Sequence, residues 1–169
     1  IRPDDLSAQV VHGLLAKLPG LDPSTIDDLY WGCADPSGRH GSNMARVIAV
    51  LAGMDHLPAA TINRFCASST QTMRMAFHAI KAGEGDVYVA GGVESMSRSP
   101  YSMPKAERAY PTGHMTIYDT TLGWRYPNPR LEALFPLEQM GETAENIFEL
   151  SLQGGVTGGP ITREAQDAF

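Results

Sequence analysis

The chain has 169 residues, 43% hydrophobic, 8% aromatic and 19% charged, a composition that supports a buried core and argues against disorder. Seventeen glycines and twelve prolines without a fixed period exclude a collagen-like or coiled-coil chain, and two cysteines are too few for a disulfide-stapled one. A formal net charge of −6 argues against nonspecific binding to a nucleic-acid backbone, and no apolar run approaches the roughly 20 residues that span a bilayer.

From the N-terminus, Pro3 and two acids precede Val10, Val11, Leu14, Leu15 and Leu18, which share one helical face, so a helix is expected over residues 4 to 18, stopped by Pro19-Gly20. Asp22-Pro23-Ser24-Thr25 begins a short helical turn, and residues 28 to 33 read as a strand running into the loop Asp35-Pro36-Ser37-Gly38. Asn43 can cap a second helix that is apolar nearly all round, which implies burial on every side, up to Gly53. Residues 58 to 62 are short, apolar and strand-like. A third helix runs from Ser68 to Gly83 with Met73, Ala76, Phe77 and Ile80 on one face, and residues 86 to 90 form the next buried strand. This alternation implies a parallel α/β sheet covered on both faces.

After Gly91-Gly92 the texture changes. Residues 96 to 140 hold Met96, Met103, Met115, Met140, four tyrosines and Trp124 among prolines, with little periodicity. Such an excursion is either a lid or a small subdomain, and its thioethers and aromatics serve as an adaptable apolar wall or as that subdomain's own core. The sequence therefore divides into a first domain over residues 1–95, incomplete at its start, and a loop domain over residues 96–169, incomplete at its end. Residues 96 to 130 carry five basic and two acidic side chains and are the only net-positive stretch, either a solvated loop face or a site for an anionic ligand. Ile1 at one end, and Thr162 to Phe169 reading as a helix opening at the other, lead to the expectation that these residues are a portion of a longer chain.

Chemistry is expected at Thr61-Ile62-Asn63-Arg64-Phe65-Cys66-Ala67-Ser68-Ser69-Thr70, where a strand meets a helix through a sharp turn. A cysteine there faces unpaired backbone N–H groups and the positive end of the helix dipole, which favour a nucleophilic thiolate; the competing reading is a buried structural cysteine. Cys33, at a strand end without a helix behind it, reads as structural, and with two thiols in all the chain fits a reduced intracellular protein. Of the histidines, His78 stands twelve residues beyond Cys66 on the same helix, roughly 18 Å along its axis, and cannot reach it. His12 and His56 read as surface or packing residues, and His40 and His114 lie in loops. Cys33, Asp35 and His40 have no recognised metal spacing, Gly83-Glu84-Gly85 precedes a strand rather than a helix, and Gly154 to Gly159 reads as a flexible loop.

Four ordered segments then match a known family. Asn63-Arg64-Phe65-Cys66-Ala67-Ser68-Ser69 resembles the active-cysteine motif of thiolases, and Ala90-Gly91-Gly92-Val93-Glu94-Ser95-Met96-Ser97 the segment that follows it. Met140-Gly141-Glu142-Thr143-Ala144-Glu145-Asn146 resembles their third marker and Thr162 to Asp167 their next helix, so the resemblance covers residues 5 to 169. Tyr118 to Arg125 is similar to degradative 3-ketoacyl-CoA thiolases, those acting on β-ketoadipyl-CoA among them. Three departures stand out: Ser69 replaces a common glycine, Gln139 replaces the histidine of biosynthetic members, and residues 147 to 161 are longer than the usual spacing.

The resemblance implies the thiolase-type layered α/β sandwich, represented by its N-terminal half with a loop subdomain. It implies an acyl-CoA C-acyltransferase in which Cys66 is the nucleophile and Met140 lies beside the acyl group, with coenzyme A and acyl-CoA as substrates, no cofactor and no metal. The basic stretch would lie near the phosphates of CoA. The family further implies a homodimer or a dimer of dimers, with the activating histidine and a second cysteine supplied by the C-terminal half of thiolases, and the bacterial cytoplasm is the default compartment. The alternatives are a catalytically silent acyl-CoA-binding homologue and a biosynthetic acetoacetyl-CoA thiolase. A ketosynthase fits less well, having a different sequence around the cysteine and no Met-Gly-x-Thr-Ala-Glu-Asn segment.

Overall fold

In the computed structural model, which describes residues 1–156 and 158–169, the chain divides into two compact units, Ile1–Thr121 and Leu122–Phe169. The division falls later than the change of sequence texture at residue 95. Residues beyond 95 are tied into the first unit: Pro100 lies against Gly38, where an added β-carbon would stand 3.2 Å from the proline ring, and Thr120 donates from both its amide and its hydroxyl to the Pro100 carbonyl.

The first unit opens with α1 (Pro3–Ala16), started by Pro3 and by Asp4, whose carboxylate pairs with the Arg2 guanidinium at 2.7 Å. Strand β1 (Asp28–Gly32) leads through a loop to α2 (Met44–Leu51), capped by Asn43, whose side chain accepts the Arg46 N–H. Strand β2 (Ala59–Ile62) then gives way to α3 (Ser68–Ala82), which stops at Gly83 in the left-handed conformation (φ 75°), and β3 (Tyr88–Gly92) follows. The three strands form a parallel sheet in the order β2-β1-β3, with Tyr30 opposite both Ala60 and Ala90. Strand alternation sends Leu29 and Trp31 to one face, where they join Val11, Met44, Ala45, Ile48, Ala49 and Leu57 in one core cluster with α1 and α2. Gly32 and Gly92 face the other way, onto the start of α3.

Three expectations change. On α3 the residues that meet the sheet are Ser68, Thr72, Ala76 and Ala79, whereas Met73 and Phe77 are 57% and 56% exposed. The reason is close approach: the sheet offers Gly32 and Gly92 under the helix, the Thr72 hydroxyl sits 3.2 Å from the Gly91 carbonyl, and only small side chains fit between. On α1 the buried stripe is Asp4, Ser7, Ala8 and Val11, leaving Val10, Leu14 and Leu18 exposed. Polar residues are accommodated in that stripe because Asp4 is paired and the Ser7 hydroxyl donates to the Pro3 carbonyl at 2.7 Å. Helix α2 is buried on one side only, through Met44, Ala45, Ile48 and Ala49, with Val47, Val50 and Leu51 exposed.

Beyond β3, a two-residue antiparallel pair joins β4 (Tyr101–Ser102) to β5 (Tyr118–Asp119). The second unit holds α4 (Pro129–Glu132), α5 (Met140–Leu152) and α6 (Arg163–Ala168). The Glu142 carboxylate accepts the Gln139 N–H at the start of α5, and Thr162 caps α6 by accepting from the Ala165 N–H. The buried Ser151 hydroxyl donates to the Phe148 carbonyl and accepts the Ile161 N–H. The glycine-rich loop read from the sequence includes Thr157, which lies outside the described residues. Among the described residues no helix is long and apolar enough to cross a membrane.

Candidate active site

The carboxyl ends of the three parallel strands stand side by side. The Cys33 N–H donates to the Ile62 carbonyl and the Val93 N–H to the Gly32 carbonyl, which aligns the loops starting at Cys33, Asn63 and Glu94 along one edge of the sheet. In open parallel sheets this edge is where ligands bind, because the loops there are free to vary while the strands hold them in place.

Cys66 lies on the loop that leaves β2, two residues before α3, and it is exposed. The turn is made by Phe65, which adopts φ 50°, a left-handed conformation uncommon outside glycine. Its cost is offset by hydrogen bonds on both sides. The Phe65 N–H donates to Asn63 Oδ1 at 2.9 Å, and the Phe65 carbonyl accepts both the Ser68 N–H at 3.0 Å and the Ser68 hydroxyl at 2.6 Å. Ser68 Oγ in turn accepts the Arg64 N–H at 2.9 Å, and the Ala67 N–H donates to the Arg64 carbonyl. The peptides flanking Cys66 are thus held while its thiol remains open to solvent. This exposure rules out the reading of Cys66 as a buried structural cysteine.

Cys33 is its opposite. It is 1% exposed, its thiol donates to a Glu94 carboxylate oxygen 3.7 Å away, and burial, with the Glu94 charge adding to it, pushes its pKa up to about 12. Both cysteines are free thiols. His40 is also fully buried, and its Nε2 accepts the Ser95 N–H at 2.8 Å, which removes it as a partner for an exposed nucleophile. His12, His56, His78 and His114 are exposed, and His78 packs its ring edge against Phe77.

Where the sequence offered no metal spacing among Cys33, Asp35 and His40, the structure brings Cys33 and His40 together with Glu94, one ligand atom of each within 4.8 Å of the others. Most of the atoms that a cation would need are already engaged, while His40 Nδ1 is buried without a hydrogen-bond partner. Glu94 Oε2 accepts the Ala34 N–H at 2.6 Å, Oε1 accepts the Asp35 N–H at 3.3 Å, and His40 Nε2 holds the Ser95 amide. The trio is therefore a clamp between two loops. Glu94 had no role in the sequence reading, since its partners lie about sixty positions away and no local pattern marks them.

Met140 heads α5 in the second unit and is 82% exposed. The five basic residues of the 96–130 stretch fall on both sides of the unit division, with Arg98, Lys105 and Arg108 in the first unit and Arg125 and Arg130 in the second.

The chain is 44% identical over its whole length to a beta-ketoadipyl-CoA thiolase of Acinetobacter baylyi, of which it covers 40%. It is equally similar, at 44% identity over its whole length and 40% of the relative, to the 3-oxoadipyl-CoA/3-oxo-5,6-dehydrosuberyl-CoA thiolase of Escherichia coli (strain K12). Among solved structures it resembles the acetyl-CoA acetyltransferase of Bacillus anthracis, with a TM-score of 0.72 and 31% identity over 93% of this chain and 37% of that one. The chain thus spans about 40% of the length of the curated relatives it matches. The family model for the thiolase N-terminal domain matches residues 1–169, and the chain belongs to the thiolase family.

Proposed function

We propose that this chain carries the nucleophile of an acyl-CoA C-acyltransferase that cleaves a 3-oxoacyl-CoA with free coenzyme A. The observation that carries the reading is the exposed Cys66 on a turn held rigid by Asn63 and Ser68 at the carboxyl edge of the sheet. The Cys66 thiolate attacks the 3-keto carbon, the C2–C3 bond breaks with its electron pair passing to C2, and C2 takes up a proton, releasing acetyl-CoA. The thiol of free CoA then attacks the acyl thioester on Cys66, the acyl–sulfur bond breaks, and the shortened acyl-CoA leaves with the Cys66 thiolate restored. The proton transfers are the part that the family resemblance assigns to a histidine and a second cysteine in the C-terminal half of thiolases. Met140, by the same resemblance, lines the acyl group, and the basic stretch receives the phosphates of CoA. No cofactor or metal takes part in these steps.

The substrate class is a 3-oxoacyl-CoA whose far end carries a carboxylate, acting in the degradative direction. Support comes from the names of the two relatives at 44% identity and from Gln139, which stands where biosynthetic members have histidine. A homo-oligomer in the cytoplasm completes the proposal.

The test is intact-protein mass spectrometry with peptide mapping on the natural protein that carries this sequence, before and after brief exposure to 3-oxoadipyl-CoA, a straight-chain 3-oxoacyl-CoA, or acetoacetyl-CoA. An acyl adduct on Cys66 that free CoA discharges is expected, forming fastest with 3-oxoadipyl-CoA. Absence of an adduct with all three would leave the acyl-CoA-binding homologue as the reading. A preference for acetoacetyl-CoA would move the assignment to the biosynthetic class.

A further inference from the structure

Glu94 and Cys66 belong to loops that follow different strands and share no direct hydrogen bond, yet a continuous path of bonds joins them. The Glu94 carboxylate accepts the amides of Ala34 and Asp35, at 2.6 and 3.3 Å. Ala34 in turn receives Asn63 on its carbonyl, from Nδ2 at 3.0 Å, and Asn63 Oδ1 accepts the Phe65 amide at 2.9 Å. Phe65 is the left-handed residue that immediately precedes Cys66. The loop between Glu94 and Asn63 cannot shift without carrying one of these bonds with it: Cys33 is buried beneath it, and its amide is tied to the Ile62 carbonyl. Backbone amides bonded to a carboxylate are held by charge-assisted bonds, about twice as strong as neutral ones. A left-handed non-glycine turn persists only where its surroundings over-determine it, and this path supplies the determination from outside the turn itself.

We propose that Glu94 and Asn63 are positioning residues for Cys66, acting through the Ala34 peptide. The inference rests on the acyltransferase reading of Cys66 and extends it to residues that touch no substrate. Asn63 sets the turn directly, and Glu94 fixes the loop on which Asn63 leans.

The experiment uses the natural protein and the variants Asn63→Ala, Asn63→Asp, Glu94→Ala, Glu94→Gln and the double variant Asn63→Ala/Glu94→Ala, with Ile48→Val as a core control remote from the loops. Single-turnover acylation of Cys66 is followed at saturating 3-oxoacyl-CoA, together with KM and thermal midpoint. Misplacement of a reacting group by about 1 Å costs on the order of 100-fold, so Asn63→Ala and Glu94→Ala are expected to slow acylation about 10- to 100-fold with KM changed less than about threefold. Glu94→Gln keeps one acceptor oxygen and is expected to recover part of the rate. The double variant is expected to be no slower than the slower single variant, because both act on one path.

Wild-type acylation rates in folded variants would overturn the proposal, as would losses that follow the thermal midpoint in the way the Ile48→Val control does. So would a double variant slowed by the product of the two single effects. Should Glu94→Ala fail to fold, Asn63→Asp decides: it keeps the acceptor for Phe65, loses the donor to Ala34, and is expected to be slowed as Asn63→Ala is. If the wild-type protein takes no acyl group, the acyltransferase reading fails, and the pH profile of Cys66 alkylation by iodoacetamide then judges the path alone. A profile displaced in the Asn63 and Glu94 variants sustains it, and superimposable profiles overturn it.

Discussion

Gly32 on β1 lies so close beneath α3 that a β-carbon added to it would stand 2.7 Å from the Ser69 backbone nitrogen and 2.8 Å from the Ser68 carbonyl carbon. Both are main-chain atoms of the helix start, so no rotamer change relieves the clash. The sheet and the turn carrying Cys66 are thereby pressed together, and the Ser68 hydroxyl that binds Phe65 and Arg64 sits at the point of contact.

Gly32→Ala is expected to lift the first turn of α3 and to destabilise the protein by about 3 kcal/mol or more, at the upper end of the usual cost of overpacking. Gly92→Ala also meets a close neighbour, Ser69 Oγ, but that side chain can rotate away, leaving a 2.9 Å approach to the Gly32 carbonyl. Its cost is expected to be smaller, about 1–3 kcal/mol. Urea unfolding of the two variants checks the order; a Gly92→Ala protein less stable than Gly32→Ala would contradict the geometry.

The two thiols are expected to separate cleanly under alkylation. Iodoacetamide at pH 8 is expected to modify the exposed Cys66 within minutes while the buried Cys33, with its pKa near 12, stays unlabelled until the protein is unfolded in urea. Peptide mapping of the native and unfolded samples reads both sites. Equal labelling in the native protein would mean that Cys33 is not enclosed.

Cys33 also makes an alkaline prediction. An ordinary thiol in the unfolded chain loses its proton near pH 9, whereas the folded one holds it to about 12. Between these values the folded state binds more protons, so stability declines as pH rises from about 9, and below that range the thiol adds no pH dependence. Tyr30 and Tyr88, stacked at 5.7 Å, are also raised, Tyr30 by burial first and the nearby acids second, and they contribute to the same decline. Cys33→Ala is therefore expected to flatten the fall in urea midpoint between pH 9 and 11 without abolishing it. A slope identical to wild type would show that the thiol ionises equally in both states.

In acid the relevant group is Asp27, whose carboxylate accepts the Val87 and Asp86 amides at 2.9 and 2.8 Å, bonds that hold its pKa below the usual carboxylate range. A lowered folded pKa gives stability that is full above the unfolded value near 4 and is lost as pH falls through the folded one. Asp27→Ala is expected to lower the urea midpoint at pH 7 and to reduce the loss between pH 4 and 2. Parallel curves for variant and wild type would mean that the two amides are as well satisfied by water.

Asp27 also explains where β3 begins. Residues 86 to 90 read as a strand from their apolar pattern, yet β3 begins at Tyr88, because the amides of Asp86 and Val87 are taken by a side chain 59 and 60 positions away. Local pattern was sufficient for most elements: the Asn43 cap, the Gly83 stop and the Pro3 start are properties of a few consecutive residues, and each appears where the spacing puts it. The junction that carries Cys66 was legible for the same reason, since a strand, a sharp turn and a helix start are all encoded within ten residues, whereas the exposure of its thiol was decided by the fold. What the tertiary structure alone decided is which side of each helix is buried and what holds the turn. The bulky residues of α3 face outward because Gly32 and Gly92, distant in sequence, bring the sheet too close for them. Glu94, Ala34 and Asn63 become one path because three parallel strands end side by side, a juxtaposition produced by strand pairing across many residues and visible in no stretch of sequence by itself.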